Sequence, residues 1–413
     1  MSRERARSTR ASARFTSDLI EQRISVPFDY PVVFTRAVFD PANPALERAV
    51  GRRGEKRRHR LLVFVDSGAV AAIPSLLRQI GRYFDAKADR LGLVGRPIVL
   101  AGGEGAKTGW HTVQDLIGAI QPHHLCRQSF VVAVGGGGVL DAVGLAASLV
   151  HRGLRLVRIP TTVVAQNDVG VGVKNGIDAY GSKNFIGTFA PPFAVVNDFD
   201  FLRSLSNDEW KAGLAEAFKV AIIKDRRFLD FLCESSDALV RRDEGAVQEV
   251  VVRCARLHLD HIRRSGDPFE FGSARPLDFG HWAAHKLEGM SGYRIGHGLA
   301  VSIGISLDSV YAQRTGSLTV SELDRIIGGI TSCGLPIWHS LLERRTTDGQ
   351  LEILGGLEDF RVHLGGALTV TLPRSLGRKR EVHAMRAGAI EDAVAWLRQR
   401  SGAGGGPRAA RER

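Results

Sequence analysis

The sequence predicts an α/β unit built on a parallel, Rossmann-like nucleotide-binding sheet, followed by a mostly α-helical unit. Three observations carry this expectation. Short β-branched runs alternate with helix-length segments through the first half, most of those runs end in glycine or turn residues, and from about residue 204 the apolar period lengthens to that of helices. A chain of 413 residues with 44% hydrophobic content is long enough for two cores.

Taken in order, residues 1–22 read as a disordered basic extension, being arginine- and serine-rich with few apolar side chains. Strands are expected in "RLLVFVDS" (60–67), "RPIVLAGG" (96–103), "SFVVAVGGGG" (129–138), "RLVRIPTT" (155–162) and "FAVVND" (193–198). The glycines after the third run open the helical segment "GVLDAVGLAASLVHR", where a backbone free of Cβ atoms lets a pyrophosphate approach a helix N-terminus. The same run would serve any tight strand-to-helix turn. Residues 158–192 read as a long glycine-rich loop carrying Asp168, Lys174, Lys183 and Asn184, a set suited to a phosphorylated polyol.

The α/β unit is placed at 23–203, the helical unit at 204–400 and a disordered tail at 401–413. "NDEWKAGLAEAFKVAIIK" and "EGAVQEVVVRCARLHLDHIRR" are long amphipathic helices, and "PLDFGHWAAHKLEGM" is a shorter one. Glu216 and Lys219 share a face of the first, an arrangement also common among surface ion pairs. His281 and His285, four apart, can converge on a metal ion, and by spacing alone they are the preferred pair. His297 follows in a glycine-flanked turn, and Glu216 could complete a three-ligand set.

The net charge of +12 raises the question of a nucleic-acid partner. Residues 1–14, 51–60 and 398–413 hold sixteen Lys/Arg against three Asp/Glu, so the rest of the chain is close to neutral. These runs lack interleaved aromatics, and nucleic acid is not expected. Four scattered cysteines exclude a disulfide framework or a thiolate zinc site, no run is long enough to span a bilayer, and a cytoplasmic protein is expected.

Together these residues closely resemble the sugar phosphate cyclases, the superfamily of 3-dehydroquinate synthase and 2-epi-5-epi-valiolone synthase, over roughly residues 24–398. The family's acidic residue after the first strand matches Asp66, and its Gly-Glu-Lys motif matches "GGEGAK", with Glu104 and Lys107. The NAD turn and its aspartate match Gly136, Gly137 and Asp141, and the Pro-Thr-Thr motif brings Thr161 and Thr162. The resemblance further implies an NAD contact or a catalytic or substrate role for Asp168, Lys174, Lys183 and Asn184. Arg152 would reach substrate phosphate across a homodimer interface. Glu216, His281 and His297 would bind one divalent metal, zinc or cobalt, with Lys219 beside them. His285 then becomes a substrate contact, in place of the ligand that spacing preferred.

The chemistry implied is transient oxidation of an alcohol by bound NAD, elimination of phosphate, reduction of the ketone and intramolecular aldol closure to a carbocycle. Departures from 3-dehydroquinate synthase concern the substrate. Val173 stands in place of a glycine and Asp278 in place of an asparagine; the carboxylate-binding lysine aligns near Asp260, its neighbouring arginine is displaced to Arg275, and His363 replaces a lysine. Loss of cations points to a substrate without a carboxylate, a seven-carbon ketose phosphate such as sedoheptulose 7-phosphate. Retained His285 complicates that choice, and the motif set as a whole is similar to a bacterial dehydroquinate synthase-like branch associated with the Ebo operon. The alternatives are 3-dehydroquinate synthase itself and a net NAD-dependent polyol or glycerol phosphate dehydrogenase, which shares the two-part design.

Overall fold

The computed structural model describes residues 19–264, 267–269, 276–363 and 366–403. Seven parallel strands form the main sheet: β1 (Val32–Thr35), β2 (His59–Asp66), β3 (Leu91–Leu93), β4 (Ile98–Leu100), β5 (Phe130–Gly135), β6 (Arg155–Pro160) and β9 (Ala194–Asp198), with a separate hairpin, β7 (Lys174–Ala179) and β8 (Ser182–Phe189), between the last two. The order is β1-β9-β6-β5-β2-β3, with β4 pairing the C-terminal half of β2. All five expected strands are present, and β1 and β3 are additions too short to show a pattern.

Alternation explains why the central strands read as unbroken apolar runs. Leu61, Val63 and Val65 of β2 enter one core together with Val132 and Val134 of β5, while Leu62 and Phe64 enter the core on the other face with Val131 and Ala133. Both faces are covered, as a parallel sheet requires. A third core, from Val163, Phe199 and Leu202 to Leu397, is built almost wholly by the helices after residue 206. The boundary expected at 203/204 falls at the end of the 3-10 turn Phe199–Ser204, just before the helix Asn207–Lys224, whose capping box joins Ser206 and Glu209.

Three expectations need correction. The glycine-rich stretch 158–192 is not a long loop: it holds a short helix, Val163–Asn167, a 3-10 turn and the β7–β8 hairpin. Tyr180 and Gly181 both have positive φ, 52° and 76°, which gives a two-residue turn with the twist that hairpins need. Tyr180 in place of the usual Asn or Gly hid that turn in the sequence. The helical half also carries a hairpin, β10 (Val370–Ser375) with β11 (Arg378–Val382), and the last helix, Ala387–Ala403, runs past residue 401. Among the described residues no helix is long and apolar enough to cross a membrane.

Candidate active site

The sheet contributes a polar edge at the C-terminal ends of β2, β4 and β5. Asp66 closes β2, caps the next helix by accepting from Gly68 N at 2.8 Å, and lies 3.3 Å from Gly136 N. A Cβ on Gly138 would stand 2.5 Å from the Gly103 carbonyl oxygen, so part of the glycine run exists to let the Glu104–Lys107 turn pack on the helix Gly137–Leu149. At Gly137 a Cβ would stand 3.5 Å from Val169 Cγ1, in ordinary van der Waals contact, so packing does not require glycine there. Lys107 is buried with Asp141 and Glu104 each at 3.6 Å and donates to Asn184 Oδ1 at 2.9 Å. Burial works against the ammonium, but the carboxylates around it hold its pKa above the usual lysine value.

The helical unit supplies the centre. Glu216 comes from the helix Asn207–Lys224, His281 from the first position of His281–Met290, and His297 from the first position of His297–Arg314, a helix start where a turn was expected. One ligand atom from each of the three lies within 4.8 Å of the others, and the group is buried or half-buried. The donor set fits a divalent metal. Glu216 keeps both carboxylate oxygens buried without a well-formed hydrogen bond; Lys219 Nζ is 2.5 Å from one and His297 Nε2 3.4 Å from the other. His281 has Nδ1 3.2 Å from the Phe279 carbonyl, which leaves Nε2 as the lone pair. Burial and nearby Lys219 push its pKa well below the usual value, so the ring is neutral, as a metal ligand must be.

His285 joins the same group, with ring centroids 5.3 Å from His281 and 5.9 Å from His297. Burial pushes it down to about 4. His297 behaves oppositely in the metal-free protein: burial disfavours its cation, but Glu216 and Glu288 outweigh that and push it up to about 9.

Two side chains here were not anticipated. Glu288, one turn after His285, is buried, with Oε1 2.6 Å from Lys183 Nζ and Oε2 3.2 Å from His297 Nδ1. His258, on the helix Glu244–Arg264, places Nδ1 2.6 Å from Asp168 Oδ1, while Lys219 approaches Oδ2 at 3.4 Å. Burial raises the Asp168 carboxyl, yet Lys219 and His258 together hold it well below the usual range. Spacing held a signal for both: 281, 285 and 288 fall on one helix face, as do 254, 258 and 261.

The result is one file of alternating charge through both units. It runs Asp141, Lys107, Glu104, Lys183, Glu288, His297, Glu216, Lys219, Asp168 and His258, with successive separations between 2.5 and 3.9 Å. Asp278 sits in the turn before His281, near enough to raise Lys219. Thr161 is buried at the end of β6 and Thr162 caps Val163–Asn167 through Ala165 N at 3.2 Å. Lys174 opens β7, whose carbonyl accepts from buried Arg158 at 2.8 Å.

Other expected residues are not brought to the centre. Arg152 is exposed in a left-handed turn (φ 62°) beside a 460 Å³ hollow shared with Arg52, Arg53, Arg155 and Phe193. Asp260 pairs with Arg263 at 2.8 Å, on a face remote from the one that presents His258 to Asp168. Arg275 lies outside the described residues; His363 ends the helix Gly355–His363, and its side chain is likewise outside them.

A parallel α/β unit joined to a helical unit, with a Glu-His-His group and a row of lysines between them, defines the class: a two-part protein whose centre carries the donor set of a divalent metal. Comparison with known proteins narrows this. Sequence profiles described as 3-dehydroquinate synthase N-terminal and C-terminal match residues 97–212 and 213–353. The 2-epi-5-epi-valiolone synthase of Streptomyces glaucescens is 34% identical over 310 residues, 75% of this chain and 76% of that one. The 3-dehydroquinate synthase of Sulfolobus acidocaldarius is 33% identical over 252 residues, 61% and 70% of the two chains. Among solved structures, the 2-epi-5-epi-valiolone synthase ValA of Streptomyces hygroscopicus subsp. jinggangensis 5008, with NAD+ and Zn2+ bound, superposes with a TM-score of 0.80 at 30% identity, over 92% of this chain and all of that one. The chain belongs to the 3-dehydroquinate synthase family of sugar phosphate cyclases.

Proposed function

We propose that the protein is a sugar phosphate cyclase that takes a seven-carbon ketose phosphate without a carboxylate, sedoheptulose 7-phosphate foremost, and releases inorganic phosphate and a carbocyclic polyol. The observation that favours this substrate is the helix Glu244–Arg264: near the position where carboxylate-binding relatives carry a lysine it has Asp260, paired with Arg263 at 2.8 Å. Glu216, His281 and His297 would hold the metal, and the glycine turn with Asp66, Glu104, Lys107, Asp141, Thr161 and Thr162 would hold NAD. When bound, these groups supply reversible hydride acceptance and polarisation of the reacting oxygens. With no net change of oxidation state, the balance is one ketose phosphate to one carbocycle and one phosphate.

This chain's own residues orient and neutralise. Lys183 and Lys174 would hold the phosphate, joined by Asn184 and by an Arg152 contributed by a second copy. Lys219, fixed between Asp168 and Glu216, offers an ammonium N–H to a substrate oxygen on which charge develops. His285, neutral and half-buried, can donate to or accept from a hydroxyl.

The test is a panel of ketose phosphates read by phosphate release and product NMR. Sedoheptulose 7-phosphate or a close relative turns over with catalytic NAD, and Glu216→Ala loses both metal and turnover. Phosphate release from the carboxylated seven-carbon substrate alone would make the protein a 3-dehydroquinate synthase. NADH accumulating in step with substrate loss would make it a dehydrogenase.

A further inference from the structure

We infer that Glu288 is a positioning residue for the metal centre: its carboxylate fixes the ring of His297 through Nδ1, so that Nε2 faces Glu216, and ties that ligand to the anion-holding hairpin through Lys183. The inference rests on Glu216, His281 and His297 being the metal ligands. Glu288 is buried, and both of its oxygens are committed, Oε1 to Lys183 Nζ at 2.6 Å and Oε2 to His297 Nδ1 at 3.2 Å. A histidine can give a metal only one nitrogen; an acceptor at the other selects the tautomer, sets the ring plane and raises ligand basicity. His281 has the same arrangement with a backbone carbonyl, Phe279 O at 3.2 Å from Nδ1. Each histidine therefore has an acceptor behind it, but only that of His297 is charged and shared with another element.

The same atoms could be read as a second metal site, since His285, Glu288 and His297 also offer ligand atoms within 4.8 Å of one another. The engagement of Glu288 argues against it: both of its oxygens already have hydrogen-bond partners, whereas both oxygens of Glu216 are buried without one. Sharing of Glu288 also links the two units. Lys183 is on β8, His297 starts a helix of the other unit, and one buried carboxylate holds both.

The experiment measures Zn2+ and Co2+ affinity of the full-length apoprotein by chelator competition, with the Co2+ visible spectrum as a second readout. Wild type is expected to bind one equivalent. Glu288→Ala should bind about 10–100-fold more weakly and shift the Co2+ bands, and Glu288→Gln, which keeps an acceptor but loses the charge, should fall between. Lys183→Met, which removes the ion pair and leaves the His297 contact, should keep metal affinity within about threefold. Folded Glu288→Ala with wild-type affinity and spectrum would overturn the inference, as would two equivalents bound by wild type. If Glu288→Ala fails to fold, Glu288→Gln decides in the same way. Failure of wild type itself to bind metal would instead sink the ligand assignment, and this inference with it.

Discussion

Lys219 stands between two carboxylates where neither it nor Glu216 reaches bulk water. Burial alone would lower its pKa, but Asp168 and Glu216 raise it above the ordinary value, so the ammonium is permanent. Removing one member of such a buried set leaves the others uncompensated. Lys219→Met should therefore cost the metal-free protein about 3–5 kcal/mol in a denaturant titration, and added Zn2+ should recover part of that loss, because Glu216 then gains another counter-charge. An equal cost with and without metal would separate Lys219 from the centre. At this scale the sequence was informative where a residue type is scarce and its neighbours distinctive, as in "GGEGAK" or "FGHWAAH". For His258 and Glu288 it offered only a shared helix face, because a polar residue on a helix face points to solvent in most proteins and only its packing partners say otherwise.

Helix crossings set the distance between the two candidate histidine ligands. Gly280 (φ 78°) stops the turn before His281, and a Cβ there would stand 2.6 Å from Ile305 N; a Cβ on Gly304 would stand 2.1 Å from Gly280 O. The helix His297–Arg314 thus touches the His281 turn backbone to backbone, and buried Asp308 fastens the contact by accepting from Gly280 N at 3.0 Å and Trp282 Nε1 at 2.9 Å. Burial pushes the Asp308 carboxyl up to about 7 despite these donors. The folded state then holds a proton that the unfolded chain releases near its ordinary carboxylate pKa. Stability from this group is complete below pH 4 and is lost as pH rises through about 7. Asp308→Asn mimics the protonated form, so the stability of metal-free wild type relative to this variant should fall as pH rises from about 4 to 7, by at most ~1.4 kcal/mol per unit. A pH-independent difference would contradict it. Two of the long helices, Asn207–Lys224 and Glu244–Arg264, were legible to the residue. The β7–β8 hairpin was not, because its strands are half-exposed and glycine-rich and its turn begins with a tyrosine.

The whole molecule leaves Arg152 away from its own centre, in a turn where His151, Arg152 and Gly153 all have positive φ. If it serves the neighbouring copy, mixing inactive Arg152→Ala with inactive Glu216→Ala rebuilds one complete site in each mixed dimer, and activity should recover to about a quarter of wild type for random exchange. No recovery under conditions of demonstrated subunit exchange would place Arg152 in its own site or in none. The sequence by itself determined the class of fold, five strands of its main sheet, several of its helices and the family, because hydrophobic period and local motifs are properties of neighbouring residues. Only the tertiary structure decided which side chains share a charge file. Glu288 and Lys183 are 105 residues apart, Asp168 and Lys219 are 51 apart, and their pairing depends on the packing of the helical unit against the sheet unit. Spacing favoured His281 with His285, yet the packing of the helix His297–Arg314 against the helix of Glu216 offers His297 instead: a Cβ on Gly298 would stand 2.2 Å from Ala212, so the two helices touch where their ligands meet.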